Sequence, residues 1–148
     1  MSTLVFPSMV RDQVLEQHGV LRGLLEEAAE ELDRPRSSGR DDTKLRAIGR
    51  ALCDRFADHL LFEERELVPV LATLDSWGPE RVRDIHVAHA RQRRKLEVLW
   101  ERLDVEPDAE DVAEALTDLA DDMLRDMEAE EAGCLSAEAM SSSLLERL

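Results

Sequence analysis

The chain contains 148 residues, with 34 acidic and 19 basic side chains, a formal net charge of -15 and 43% apolar residues. This apolar content is enough to bury a core, so we expect residues 1–148 to form a single domain. The negative charge argues against nucleic-acid binding, which depends on neutralising phosphates. There is no long apolar run and no signal-peptide pattern, and two cysteines make no disulfide framework. We therefore expect a cytoplasmic protein that does not bind membranes.

Apolar side chains recur three and four residues apart in four stretches, which is the spacing of a helix with one buried face. The predicted helices span about 9–33, 43–74, 79–104 and 109–133. With 6 Gly and 5 Pro, the chain has few of the residues needed for the tight turns of a β-sandwich. The sequence therefore predicts an all-α fold, an up-down-up-down four-helix bundle.

Three local features refine this prediction. Pro69 has no N–H and should kink or end the second helix near Leu67. Residues 81–102 hold seven basic and three acidic side chains and residues 104–131 hold thirteen acidic and one basic, so the third and fourth helices should pack side by side. The tail, residues 134–148, is expected to add a short helix that packs through four apolar side chains: Leu135, Met140, Leu144 and Leu145.

The predicted inner faces carry polar side chains of the types that bind metal ions. They are His18 on the first helix, His59 and Glu63 on the second, His89 on the third, and Asp126 and Glu130 on the fourth. Residues four apart share a face of a helix, so all of them can approach one axis of the bundle. His86, three residues before His89, borders the same face and is a seventh candidate.

Taken singly, each residue has a simpler explanation. A single inward His is more often an ordinary core or boundary residue, and the carboxylates lie in segments rich in charge. Three of the four His, however, fall on the inner faces of three different helices. Imidazole and carboxylate ligands together suit iron or manganese, and also zinc. Three His and three carboxylates would satisfy two ions and would offset the cost of burying these groups.

These segments resemble the hemerythrin-like (HHE cation-binding) family. His18 in LEQHGVLRGLL, His59 and Glu63 in FADHLLFEERELVPVL, and His89 in VAHARQRRKLEVL match the family's pattern on its first three helices. On the fourth, DMEAEEAGCL places Asp126 where the family has His and Glu130 on the family's Glu. The resemblance implies a non-haem di-iron centre with terminal His ligands, Glu63 and Glu130 as bridging carboxylates, and O2, NO or peroxide as the small ligand.

The Asp at position 126 has two alternative consequences. If it binds metal, the more anionic site should favour ferric iron, and hence oxidation, peroxide handling, iron storage or sensing over reversible oxygen carriage. If it points to solvent, five protein ligands remain and the site is mononuclear or labile.

Other functions stay open from the sequence alone. They are a di-iron oxidase or peroxidase-like enzyme, a metal-free helical interaction module, and a mononuclear zinc or manganese site. Cys53 and Cys134 are predicted to be unreactive thiols, since no basic neighbour in the sequence would lower their pKa.

Overall fold

The computed structural model describes residues 7–34, 42–104 and 109–136, and no strand occurs in these ranges. The elements in chain order are α1 (Pro7–Asp33), α2 (Thr43–Phe62), a π-helical turn (Glu63–Leu67), α3 (Val68–Leu74), α4 (Gly78–Asp104) and α5 (Ala109–Ala132). The predicted tail helix, with Met140, Leu144 and Leu145, lies outside the described residues, whereas Leu135 is fully buried.

The helices form the predicted all-α, up-down-up-down four-helix bundle. Helix α1 packs against α2 and α5, and α4 packs against α2 and α5, so the helices enclose one common axis. Within the described ranges, none of the helices has the length and apolar character that crossing a bilayer requires.

The second predicted helix is divided at the site. Pro69 has no N–H to donate to the preceding turn. The helix does not end before it; a π-helical turn, Glu63–Leu67, precedes Pro69 and α3 continues beyond it. The N–H of Val68 donates to the carbonyl of Glu63, five residues back. Glu63 therefore opens the π-helical turn, which widens the helix where it contributes a candidate ligand.

A tight turn joins α3 to α4. The side chain of Asp75 accepts a hydrogen bond from the backbone N–H of Trp77 at 2.9 Å. A Cβ on Gly78 would lie 2.6 Å from the carbonyl oxygen of Ala72, so only glycine fits at this position. The turn brings the beginning of α4 close to the end of α3.

Ion pairs join α4 to α5, as the charge pattern predicted. Asp122 on α5 accepts from Arg91 at 2.7 Å and lies 3.0 Å from the Lys95 ammonium. Lys95 also contacts Asp118 at 3.3 Å. Arg91 and Lys95 of the basic stretch on α4 thus pair with the acidic α5.

The buried side chains form two apolar clusters. The larger, which we call the main core, includes Leu52, Leu116 and Leu119, and the smaller, the end cluster, includes Val14 and Leu67. Along each helix of the bundle, polar residues separate the residues of the two clusters. The buried polar side chains between them are His18, His59, Glu63, His89 and Glu130.

Candidate metal centre

Four candidate ligands from three parts of the chain meet in the interior. One ligand atom from each of His18, His59, Glu63 and Glu130 lies within 4.8 Å of the others, and all four residues are buried. The i, i+4 spacing places His59 Nε2 3.2 Å from Glu63 Oε1. From α4, His89 Nε2 approaches the same oxygen at 3.2 Å. The groups are therefore close enough to share one or more ions.

Three of these atoms lack a hydrogen-bond partner although they are buried. They are His18 Nε2, Glu63 Oε2 and Glu130 Oε2. Leaving such groups unsatisfied costs about 1–3 kcal/mol each, and more for charged groups. Unpaired imidazole and carboxylate atoms that face one another form the donor set of a cation site. The residues present therefore fit a bound metal ion.

Each inward His is oriented by a hydrogen bond on its outer nitrogen. His18 Nδ1 contacts Glu131 at 2.7 Å, and His89 Nδ1 contacts Glu64 at 2.8 Å. His59 Nδ1 contacts the side-chain oxygen of Gln17 at 2.7 Å. An outer Nδ1–H that donates to an oxygen leaves Nε2 as the lone pair facing the centre, which is the tautomer that a metal ligand requires.

The two orienting glutamates are held by arginines at the bundle surface. Arg22 lies 2.8 Å from Glu131, and Arg93 donates to Glu64 at 2.7 Å. The hydrogen bond from Arg93, opposed by partial burial and aided by His89, holds the pKa of Glu64 at about 2. His18 and His89 are thus supported by ionised carboxylates, whereas His59 is supported by a neutral amide.

The carboxyls of Glu63 and Glu130 titrate as a pair. Burial raises the pKa of Glu130 well above its usual value, and repulsion from Glu63 and Asp126 raises it further. Burial also opposes ionisation of Glu63, but hydrogen bonds from Glu130, His59 and His89 outweigh it and lower its pKa. The metal-free pair therefore keeps one proton on Glu130, because two adjacent carboxylates in a dry site repel each other.

The pKa values of His18 and His89 are shifted in opposite directions. Burial lowers the pKa of His18, against the hydrogen bond to Glu131. Burial also acts to lower the pKa of His89, but its hydrogen bonds to Glu63 and Glu64 outweigh burial and raise it. The shift favours the neutral, metal-binding form of His18 and the protonated form of His89, which does not bind a cation.

The remaining two candidates lie at different depths. Asp126 is half-buried and lines a cavity that also reaches His89 and Glu130. His86 is exposed and is not part of the buried cluster, because it lies about 60° around α4 from His89, at the solvent-facing edge of the inner face. The structure thus gathers His18, His59, Glu63, His89 and Glu130, keeps Asp126 at their edge, and leaves His86 outside.

Sequence reasoning missed the three residues that orient the histidines. Each is the chain neighbour of a candidate ligand: Gln17 precedes His18, Glu64 follows Glu63, and Glu131 follows Glu130. Successive helix residues differ by about 100° in direction, so such a neighbour faces the adjacent helix and reaches the His there. A polar residue directly beside a candidate ligand in the sequence could have identified these orienting residues.

Both cysteines are free thiols. Burial, with a smaller contribution from Asp54, raises the pKa of Cys53 to about 12. Burial raises the pKa of Cys134 to about 11, with a further contribution from Glu63. Both groups are therefore poor nucleophiles at neutral pH, as predicted.

Comparison with known proteins agrees with this geometry. The family model "Hemerythrin HHE cation binding domain" matches residues 9–136, which include every residue of the cluster. No curated protein and no solved structure gives a significant match. Because the family model covers most of the chain, and because a four-helix bundle holds the buried His and Glu cluster, the chain belongs to the hemerythrin HHE cation-binding family.

Proposed function

We propose that the protein binds a non-haem di-iron centre and uses it to bind or sense O2, NO or peroxide, or to handle iron. One observation carries the proposal: His18 Nε2, Glu63 Oε2 and Glu130 Oε2 are buried, unpartnered and close together. A bound cation would replace the proton that the paired carboxyls share and would satisfy all three atoms. Bound iron would supply redox chemistry and an open coordination position for the small ligand.

The ligands divide into two sets around the shared carboxylates. His18 and His59 each bring a ligand atom within 4.8 Å of Glu63 and Glu130, and with them they would hold one ion. His89 Nε2 lies 3.2 Å from the same Glu63 oxygen as His59 Nε2, and His89 lines one cavity with Asp126, with which it would hold the second ion. Glu63 and Glu130 then belong to both sets, which supports their role as bridges.

The negative charge around the proposed centre favours ferric iron. Ferric iron argues against reversible oxygen carriage. Three carboxylates and the ionised Glu64 and Glu131 behind two of the histidines surround the ions with negative charge. Negative charge stabilises the higher-charged ferric state relative to the ferrous state. A reduction potential as high as that of a His-rich centre would contradict this interpretation.

Elemental analysis tests the proposal directly. Protein made in iron-supplemented cells should contain about two iron ions per chain, and Glu63→Gln, which keeps the shape of the side chain, should lose most of them. The matched control is Glu31→Gln, since Glu31 is also buried on the bundle but lies at the far end of α1, beside Lys44. It should keep the wild-type iron content.

Other metal contents would indicate one of the alternative functions. About one zinc or manganese ion per chain would indicate a mononuclear site. No metal in the wild-type protein, with stability unchanged by a chelator, would overturn the proposal and indicate a helical interaction module.

A second candidate, a di-iron oxidase or peroxidase-like enzyme, is favoured by the access to the site. The cavity beside His89 and Asp126 has a volume of about 620 Å³, more than a diatomic molecule needs. Consumption of peroxide by the iron-loaded protein with an added reductant over many turnovers would establish the enzyme. Stoichiometric binding without turnover would exclude it.

A further inference from the structure

One cavity connects the candidate centre with solvent. We call it the α4–α5 cavity: it lies between the beginning of α4, the end of α5 and the turn before α4, and it has a volume of about 620 Å³. Asp84 and Trp77, both exposed, lie on its wall, and His89, Asp126 and Glu130 form its inner part. The same space therefore touches both bulk water and the candidate ligands.

Carboxylates line this cavity at successive depths. Asp84 is exposed, and no hydrogen bond or ion pair engages it in residues 7–34, 42–104 and 109–136. Asp126 is half-buried, and Glu130 is only 8% exposed, with an Oε2 that makes no hydrogen bond and lies 3.9 Å from His18 Nε2. The one arginine of the wall, Arg81, is paired with Asp75 at 3.0 Å. Asp84 and Asp126 therefore leave the outer part of the cavity negatively charged.

A second cavity, the α1–α2 cavity, reaches the site from the opposite side but offers no free ligand. It has a volume of about 500 Å³ and is lined by Gln17, Asp58 and His59. The outer nitrogen of His59 is already engaged by Gln17 at 2.7 Å. Its carboxylates, Glu16 and Asp58, are exposed, so an ion that passed them would meet a satisfied ring edge at the inner end.

We propose that divalent cations enter the centre through the α4–α5 cavity, with Asp84 attracting the hydrated ion at the mouth and Asp126 receiving it before Glu130. Carboxylate oxygens suit hydrated divalent ions, and an acidic cleft raises the local concentration of cations and their rate of entry. This inference rests on the proposed metal-binding function and adds its route of loading.

The rate of metal loading tests the route separately from the final occupancy. Chelator-treated, full-length protein is mixed at low ionic strength with Co²⁺, and the visible absorption of the bound ion is followed by stopped flow. Asp84→Asn should slow loading several-fold and Asp84→Lys by about tenfold or more, with the final Co²⁺ content unchanged. Added salt should reduce these differences, because it screens exposed charges.

Asp58→Asn is the matched control, since it removes an exposed carboxylate from the wall of the α1–α2 cavity. Its loading rate should equal that of the wild type. Equal rates for the wild type and Asp84→Lys, or equal slowing by the Asp58 and Asp84 variants, would overturn the route while leaving the metal site intact. Failure of the wild type to bind Co²⁺ would overturn both the route and the proposed function.

Discussion

The main core is buried, and so are the polar side chains beside it, which we call the polar layer: His18, His59, Glu63, His89 and Glu130. The two regions are built differently. In the main core, Leu52, Leu116 and Leu119 are 0% exposed and contact other apolar side chains. In the polar layer, Glu63 is 1% exposed, and one of its oxygens has no partner. The main core gains free energy from its own burial, whereas the polar layer loses free energy until a cation satisfies it. The bundle is therefore stabilised by one region and given its chemistry by the other.

The largest effect should come from a cavity in the main core. Leu119→Ala should lower the free energy of unfolding by about 2–5 kcal/mol, because it removes buried methyl groups and leaves a void. Urea unfolding with and without metal measures this. The loss of stability should be the same with and without metal. A loss confined to the metal-loaded protein would show that the main core does not stabilise the fold independently of the polar layer.

A hydrophobic replacement in the polar layer should have the opposite effect. Glu130→Leu removes a buried carboxyl whose ionised form is disfavoured by burial and by Glu63 and Asp126. The metal-free variant should be as stable as the wild type or more stable, by about 1–4 kcal/mol, because apolar groups often replace buried charges favourably. Metal content should fall sharply. A less stable metal-free variant would show that Glu130 supports the fold as well as the site.

The orienting glutamates should affect affinity more than occupancy. Glu131→Gln keeps an oxygen for His18 but removes the negative charge that Arg22 holds. Metal affinity should fall by about 10–100-fold, measured by competition with a chelator. His86→Ala, at an exposed histidine on α4, is the control and should leave affinity unchanged. A similar loss in both variants would show that His86 also takes part in binding.

The smallest effect should come from the ion pairs between α4 and α5. Burial opposes ionisation of Asp122, but hydrogen bonds from Arg91, Lys95 and Gln92 hold its pKa at about 2. The unfolded chain has the higher pKa, so this stabilisation is complete above about pH 4 and is lost as the pH falls toward 2.

Asp122→Asn should therefore cost about 1 kcal/mol at pH 7 and progressively less as the solution is acidified. Urea unfolding of metal-free protein at several pH values measures the difference between variant and wild type. A cost that stays constant down to the lowest pH would indicate that packing, and not charge, stabilises this contact.

The sequence by itself determined the bundle and the residues that face its axis. Helical spacing identified the four helices, because one apolar face must be buried. Polar residues on those faces identified the candidate ligands, since unpaired charge is not buried without a reason. The likeness of FADHLLFEERELVPVL to the family's second helix added the family, which the match over residues 9–136 confirms.

Only the tertiary structure decided how these residues meet. Periodicity gives the direction of a side chain within its own helix but not its depth or its partners on other helices. It could not give the depths of buried His89 and exposed His86, pair Gln17 with His59, or show that a π-helical turn beginning at Glu63 precedes Pro69. Those outcomes depend on how neighbouring helices pack, because contacts between helices form only when the whole bundle is assembled.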